Sequence, residues 1–404
     1  MGKVLFINDS VYLPGEKAVK RTFYLFEMMQ KQGYDVTFLT SDFNHYEKKK
    51  RNTEDFYRKY PEYRECVKFI HKRSYTRNIS YRRFRSCVDS EKEELEWFIE
   101  NGKGFDAVYI SWPTYYLVYH IRKYCDQYNT KLIIDVNDLW PDSLRMVIRN
   151  DILYDIFTKG LQRKTNISFS YADAIIAVSD EYLKKAADEN TRAKEHLSVY
   201  IGAMLDRFDN GVERLSHTIQ KPAGERWITY IGTLGRSYDF DTVIYAVKKL
   251  EVYHVRFKIL GQGPEEKRLR KLAKSIEAPV DFLGFMDYET MAAYLSVSDI
   301  CVNCIKGRAS QSIINKAADY FASGKPVINC GPCREMSDLI SAYECGVNYE
   351  TENIESCVSA VKNILADSSK AEEYGIHARR LAEEKFDRVK THQSIIHMID
   401  RLTS

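Results

Sequence analysis

Ile228-Thr229-Tyr230-Ile231-Gly232-Thr233-Leu234-Gly235-Arg236-Ser237 joins a short strand-forming run to a loop with two glycines, and a helix signal opens near Asp239. A run without two-residue alternation marks a strand buried on both faces, and a glycine loop leading into a helix is how strands of a parallel sheet are left. The same unit recurs outward from here. Strands are expected at 257–260, 280–283, 300–304 and 327–329, with helices between them and three more near 353–366, 368–384 and 388–402. An earlier series has strands at 4–7, 36–40, 108–110, 132–134 and 174–178, and Val19, Phe23, Phe26 and Met29 line a helical face that stops at Gly33. The stretch 209–225, with Asn210-Gly211, Pro222 and Gly224, shows no periodicity and is the expected junction. The expected fold class is α/β, with two Rossmann-like doubly wound domains at 1–208 and 209–387 and a helix at 388–404 packing back on the first.

The composition agrees. The 404 residues are enough for two cores, and 44% hydrophobic with 29% charged residues excludes wholesale disorder, collagen-like repeats and coiled coils. No apolar run approaches the roughly 18 residues a bilayer-spanning helix needs, and the run 4–7 is too short for a signal-peptide core, so a cytoplasmic location is expected. The nine cysteines are expected to be reduced thiols. A net charge of +3 conceals an asymmetry: residues 48–87 hold fourteen Lys or Arg against four Asp or Glu, which leaves the rest of the chain net negative. Interleaved with these cations are Tyr57, Tyr60, Tyr63, Phe69, Tyr75, Tyr81 and Phe84. Cations with aromatic rings suit an anionic membrane surface, with Arg82, Arg83 and Arg85 as its candidates; no nucleic-acid module is recognisable. A plain solvated basic surface would look the same.

Doubly wound sheets bind ligands outside the carboxyl ends of their strands, and four places there carry chemistry. Tyr12-Leu13-Pro14-Gly15, ahead of Lys17, Lys20 and Arg21, offers backbone N–H groups and cations to an anion, though an ordinary strand-to-helix turn reads equally well. In the opening loop, Gly232 and Gly235 allow close approach to a phosphate and Arg236 can grip it as a fork. Gly261-Gln262-Gly263-Pro264 leads into a helix, and Glu266 standing where a third glycine belongs argues against a nicotinamide cofactor. The fourth segment holds Gln311, Asn315, Lys316 and Asp319; Lys316 can neutralise a diphosphate and Asp319 can accept from ribose hydroxyls, although such pairs are more often solvated ion pairs. Asp239-Phe240-Asp241 has the form of a metal-binding pair, but its place at a helix start favours capping. Cys301/Cys304 and Cys330/Cys333 form two Cys-x-x-Cys pairs whose contexts argue against zinc or redox chemistry.

Taken together and in order, Pro14-Gly15 with Arg21, 135–141, 172–179, 230–235, 260–263 and 315–327 resemble a family 4 glycosyltransferase of the GT-B fold, over nearly the whole chain. The resemblance is closest to the branch that builds capsule and O-antigen polysaccharides. It implies two domains facing across a cleft, the nucleotide-sugar held by the later one and the acceptor by the earlier. It places Gly15, Gly232, Thr233, Gly235, Gly261, Gly263, Gln311, Asn315 and Asp319 at the donor and Lys316 and Asp138 in catalysis, with Arg236 taken as the substitute for the family's missing loop cations. The family's paired glutamates fall on Gln311 and Asp319, its loop Arg and Lys fall near Thr233 and Tyr238, and its acceptor-loop histidine falls near Asn137 or Asp138. The implied reaction is retaining and needs neither metal nor cofactor: a UDP-sugar donates to a polyprenyl-diphosphate-linked or other saccharide, with the enzyme peripheral on the inner face of the cell membrane. A GT-B nucleotide-sugar epimerase and a catalytically silent GT-B partner subunit are the alternatives.

Overall fold

A computed structural model describes residues 2–16, 21–78, 80–142, 144, 148, 150–307 and 312–404. The chain forms two compact units, one running up to Val199 and including His392–Ser404, the other Tyr200–Thr391.

The first unit contains β1 (Lys3–Ile7), α1 (Arg21–Lys31), β2 (Asp35–Ser41), a hairpin of β3 (Phe43–Asn44) and β4 (Lys49–Lys50), α2 (Thr53–Lys59) and β5 (Val67–Ile70). It continues through α3 (Tyr81–Asn101), β6 (Ala107–Trp112), α4 (Tyr115–Tyr128), β7 (Lys131–Val136), α5 (Asp151–Ser170), β8 (Ala174–Ala177), α6 (Asp180–Ala187) and β9 (Glu195–Ser198). Its seven-stranded sheet has the order β5-β2-β1-β6-β7-β8-β9, parallel throughout. Val4, Phe6, Phe38, Tyr109 and Ile133 are buried with Phe23 and Phe26 of α1.

The second unit opens with α7 (Leu205–Leu215) and then holds β10 (Arg226–Ile231), α8 (Phe240–Lys249), β11 (Val255–Leu260), α9 (Glu266–Ser275), β12 (Val280–Gly284), α10 (Tyr288–Val297) and β13 (Ile300–Cys304). After these come α11 (Ala317–Ala322), β14 (Val327–Cys330), α12 (Arg334–Ala342), β15 (Gly346–Asn348), α13 (Ile354–Leu365) and α14 (Ser368–Lys385), while α15 (Arg388–Thr403) begins in this unit and ends in the first. Its six parallel strands run β12-β11-β10-β13-β14-β15. The strand order reverses between β10 and β13, so a crevice opens above their carboxyl ends.

Two expectations need correction. Asn210-Gly211 is no turn, and 209–225 is not aperiodic throughout: both residues lie inside α7, whose Leu205 and Phe208 are buried. Gly211 serves helix packing, since a Cβ there would come within 2.8 Å of the Glu289 Cα on α10. The basic segment is also not one interfacial surface. Tyr63 and Tyr75 are buried, Lys72 is buried against Asp9, and Arg51 reaches Glu16 at 2.8 Å. The segment folds into α2, β5 and the start of α3, and these side chains go into that packing.

Candidate functional site

Two loops meet at the reversal point of the second sheet because glycine lets their backbones touch. Gly261 has φ +151°, and a Cβ on it would lie 1.8 Å from the Gly232 carbonyl oxygen; one on Gly263 would lie 2.5 Å from that of Leu234. Leu234 N donates to the Gln262 carbonyl at 3.0 Å, which locks the β10 loop on the β11 loop.

Against this pair of loops stands Lys316, in the turn entering α11. Its Nζ donates to Tyr230 Oη at 2.6 Å, and Tyr230 in turn donates to the Thr233 carbonyl at 2.8 Å. The nitrogen lies 4.0 Å and 4.1 Å from the ring centres of Tyr230 and Tyr238, a cation–π position. Gly232, at φ +112°, leaves room for it, since a Cβ there would sit 3.1 Å from Lys316 Nζ. Burial lowers the Lys316 pKa to about 7. One turn on, Asp319 accepts from Tyr288 Oη at 2.8 Å; burial lifts its pKa to about 6, while that hydrogen bond and the Arg388 charge pull the other way. A primary amine and a carboxylate that change charge around neutrality, beside a glycine loop at a strand-order reversal, can hold a diphosphate and a diol.

The structure therefore brings Gly232, Thr233, Gly261, Gly263 and Lys316 together, with Asp319 one turn further along held by Tyr288 and Asn315 exposed in the turn ahead of Lys316. Gly235 continues the same loop, its N donating to the Thr233 carbonyl at 3.0 Å. Arg236 departs from expectation: its side chain is 88% exposed and stands 3.5 Å from Glu265, not on Lys316. Gln311, Lys17 and Lys20 lie outside the described residues. Tyr230 and Tyr288, which hold the two charged groups, escaped the sequence reading because their partners are 86 and 31 residues away.

The remaining candidates lie in the first unit. Gly15, at φ +82°, packs under Tyr60, whose hydroxyl a Cβ would approach to 2.4 Å, and the loop is tied by Glu16 accepting from Leu13 N at 2.7 Å. Past the end of β7, Asp138 accepts from Trp140 Nε1 at 3.0 Å, and Asn137 donates to the Asp135 carbonyl at 3.1 Å. Arg21 meets Asp135 at 3.2 Å in the interior. Arg82, Arg83 and Arg85 occupy the first turns of α3, capped by Ser80, with Tyr81 and Phe84 exposed beside them.

Asp239 caps α8 through Thr242 N at 3.4 Å, and Asp241 pairs with Arg268 at 2.8 Å. Cys301 and Cys333 pack on one face of the second sheet, Cys304 and Cys330 on the other, so the four thiols do not converge on one ion.

Residues 225–367 match the family model described as Glycosyl transferases group 1. WcaI of Escherichia coli (strain K12), named as a colanic acid biosynthesis glycosyl transferase, is 24% identical over 224 residues. That alignment takes in 54% of this chain and 54% of WcaI, so the chain spans about half the length of the curated relative it matches. Among solved structures, Anabaena HepE in complex with UDP aligns at TM-score 0.70 and 14% identity over 99% of this chain and 100% of its own. WaaG, a glycosyltransferase involved in lipopolysaccharide biosynthesis, aligns at TM-score 0.65 and 13% identity over 98% and 99%. Residues 225–367, which carry the Gly232 loop, Lys316 and Asp319, are thus similar to group 1 glycosyl transferases, and the chain has the GT-B fold.

Proposed function

We propose that the chain is a retaining glycosyltransferase that moves a sugar from a UDP-sugar to a lipid-linked saccharide during synthesis of a surface polysaccharide, working at the inner face of the cell membrane. The observation that carries this reading is Lys316, whose amine stands over the Gly232 loop at the strand-order reversal. HepE, which shares the fold, has been crystallised with UDP and with UDP-glucose, which supports a uridine donor.

In this reading Lys316 takes up a proton as the diphosphate binds, because a dianion close to a buried amine favours its charged form. Asp319 accepts from ribose hydroxyls, and Gly232, Thr233, Gly235, Gly261, Gly263 and Asn315 shape the rest of the donor pocket, with Gln311 on the sugar. The acceptor oxygen forms a bond to the anomeric carbon as the anomeric carbon–phosphate oxygen bond breaks. The acceptor proton passes to a phosphate oxygen on the same face, so configuration is retained and UDP leaves. Negative charge grows on that leaving group, so a fixed ammonium stabilises the transition state more than the bound substrate. Arg236 joins only by leaving Glu265, which its exposure permits. Asp138 serves the acceptor. The scheme calls on no metal ion.

A second reading is a silent partner subunit that binds nucleotide without turning it over, since Gln311 and Thr233 stand where the family has a glutamate and a phosphate-binding cation. The test is UDP release from UDP-sugars incubated with polyprenyl-diphosphate-linked saccharides. Transfer predicts acceptor-dependent release that Lys316→Ala lowers by about two to three orders of magnitude. Release unchanged in that variant removes Lys316 from the mechanism. Binding without release supports the silent subunit, and isomerised donor in the absence of acceptor supports an epimerase.

A further inference from the structure

Helix α5 turns an apolar stripe outward. Ile152, Leu153, Ile156 and Phe157 are 71%, 48%, 68% and 68% exposed, while Tyr154, Thr158, Thr165, Ser168 and Phe169 pack inward. At about 100° per residue the four exposed side chains span an arc of about 140°, centred roughly opposite the packed face. Gly160 lies at the middle of that arc. Further along the same stripe the exposed residues become Arg163 and Lys164, with exposed Lys159 at its flank. The acidic residues Asp151 and Asp155 fall outside the arc.

Scattered exposed apolar residues are ordinary, but four large ones on one helix face followed by cations are not. The charge that follows selects the occupant. Apolar side chains that enter an acyl layer, with Arg and Lys one or two turns away, match the depth profile of an anionic bilayer surface. Helix α5 carries five charged residues in its 20, so it suits lying on a membrane and not crossing one. Its neighbours fit the same surface. Helices α3, α4 and α5 pack side by side and each runs back against the strands, which puts their amino-terminal turns at the carboxyl end of the first sheet. That end carries the exposed Tyr81, Arg82, Phe84 and Arg85 of α3 and Tyr119 of α4.

We infer that the outer face of α5, through Ile152, Leu153, Ile156 and Phe157, inserts into the interfacial layer of an anionic phospholipid bilayer, with Lys159, Arg163 and Lys164 at the headgroups. The inference rests on the reading of this chain as a membrane-surface enzyme and adds an apolar anchor to the basic tip of α3.

The experiment uses the full chain with vesicles of equal parts phosphatidylethanolamine and phosphatidylglycerol. The double substitution Ile156→Ser and Phe157→Ser is expected to lower partitioning about tenfold, at low salt and at about 1 M alike, because apolar insertion is not screened. Neutralising Arg82, Arg83 and Arg85 to Ala is expected to weaken binding at low salt only. In parallel, Phe157→Cys bearing an environment-sensitive dye, with the partly exposed Cys66 and Cys87 changed to Ser, is expected to shift to the blue on vesicles, which reads insertion even where the double variant fails to fold. Unchanged partitioning of a folded double variant, or a dye that does not shift, overturns the α5 anchor. Loss in the double variant with no effect of the arginines upholds the anchor and removes the basic tip. Sedimentation that shows self-association without vesicles, abolished by the double variant, assigns the face to a second copy and also overturns the inference.

Discussion

Lys316 and Asp319 are opposite in sign and both are poised by burial close to neutrality. Asp319, raised to about 6, is a carboxylate only above that pH; Lys316, lowered to about 7, is an ammonium only below it. If the donor binds through both charges as proposed, the association constant for UDP is expected to rise as pH climbs through about 6 and to fall beyond about 7, with proton uptake on the basic limb. Calorimetric titration across this range checks it: Lys316→Met should remove the basic limb and Asp319→Asn the acid limb, and a flat wild-type profile would contradict both assignments. The sequence singles out these two residues because lysine and aspartate three apart share a helical face, and the structure buries both. The tyrosines that fix them were not, since a hydroxyl from a distant segment leaves no local pattern. Arg236 shows the converse: guanidinium chemistry marked it, but the sequence had no means of showing that Glu265 takes that side chain.

At the scale of elements, the β10 and β11 loops form one object, because the Gly261 backbone passes under the Gly232 carbonyl. Gly261→Ala combines a positive φ with a contact no side chain tolerates, and is expected to cost about 3 kcal/mol of stability. Chemical denaturation reads this, and a variant as stable as the wild type would show that the loops are not locked together. The central strands were readable as buried runs, each close to its observed bounds. Edge strands β5, β9 and β15 were not, since short edges tolerate polar and charged residues such as Lys68, Glu195 and Asn348 and so lose the apolar signal. Asn210-Gly211 misled for a related reason: glycine at a close helix crossing looks, in sequence, like glycine in a turn.

For the whole molecule, the repeated parallel α/β pattern was plain from the sequence because both sheets are covered by helices and their strands read as continuous runs. Among the described residues no helix is long and apolar enough to cross a membrane. The surface charge is segregated, with Arg82, Arg83 and Arg85 gathered at the tip of α3. Acceptor-dependent turnover on lipid-linked substrate in anionic vesicles is therefore expected to fall as salt rises, while turnover on a water-soluble acceptor analogue stays nearly level. Equal salt dependence on both acceptors would detach the basic tip from function.

The claim on which all of this depends is that the Gly232 loop and Lys316 receive the diphosphate of a nucleotide-sugar. A crystal structure of the full chain with UDP tests it most directly. The expected result is a diphosphate oxygen about 3 Å from Lys316 Nζ with the ribose hydroxyls on Asp319; UDP bound elsewhere, with Lys316 still donating to Tyr230, would contradict it.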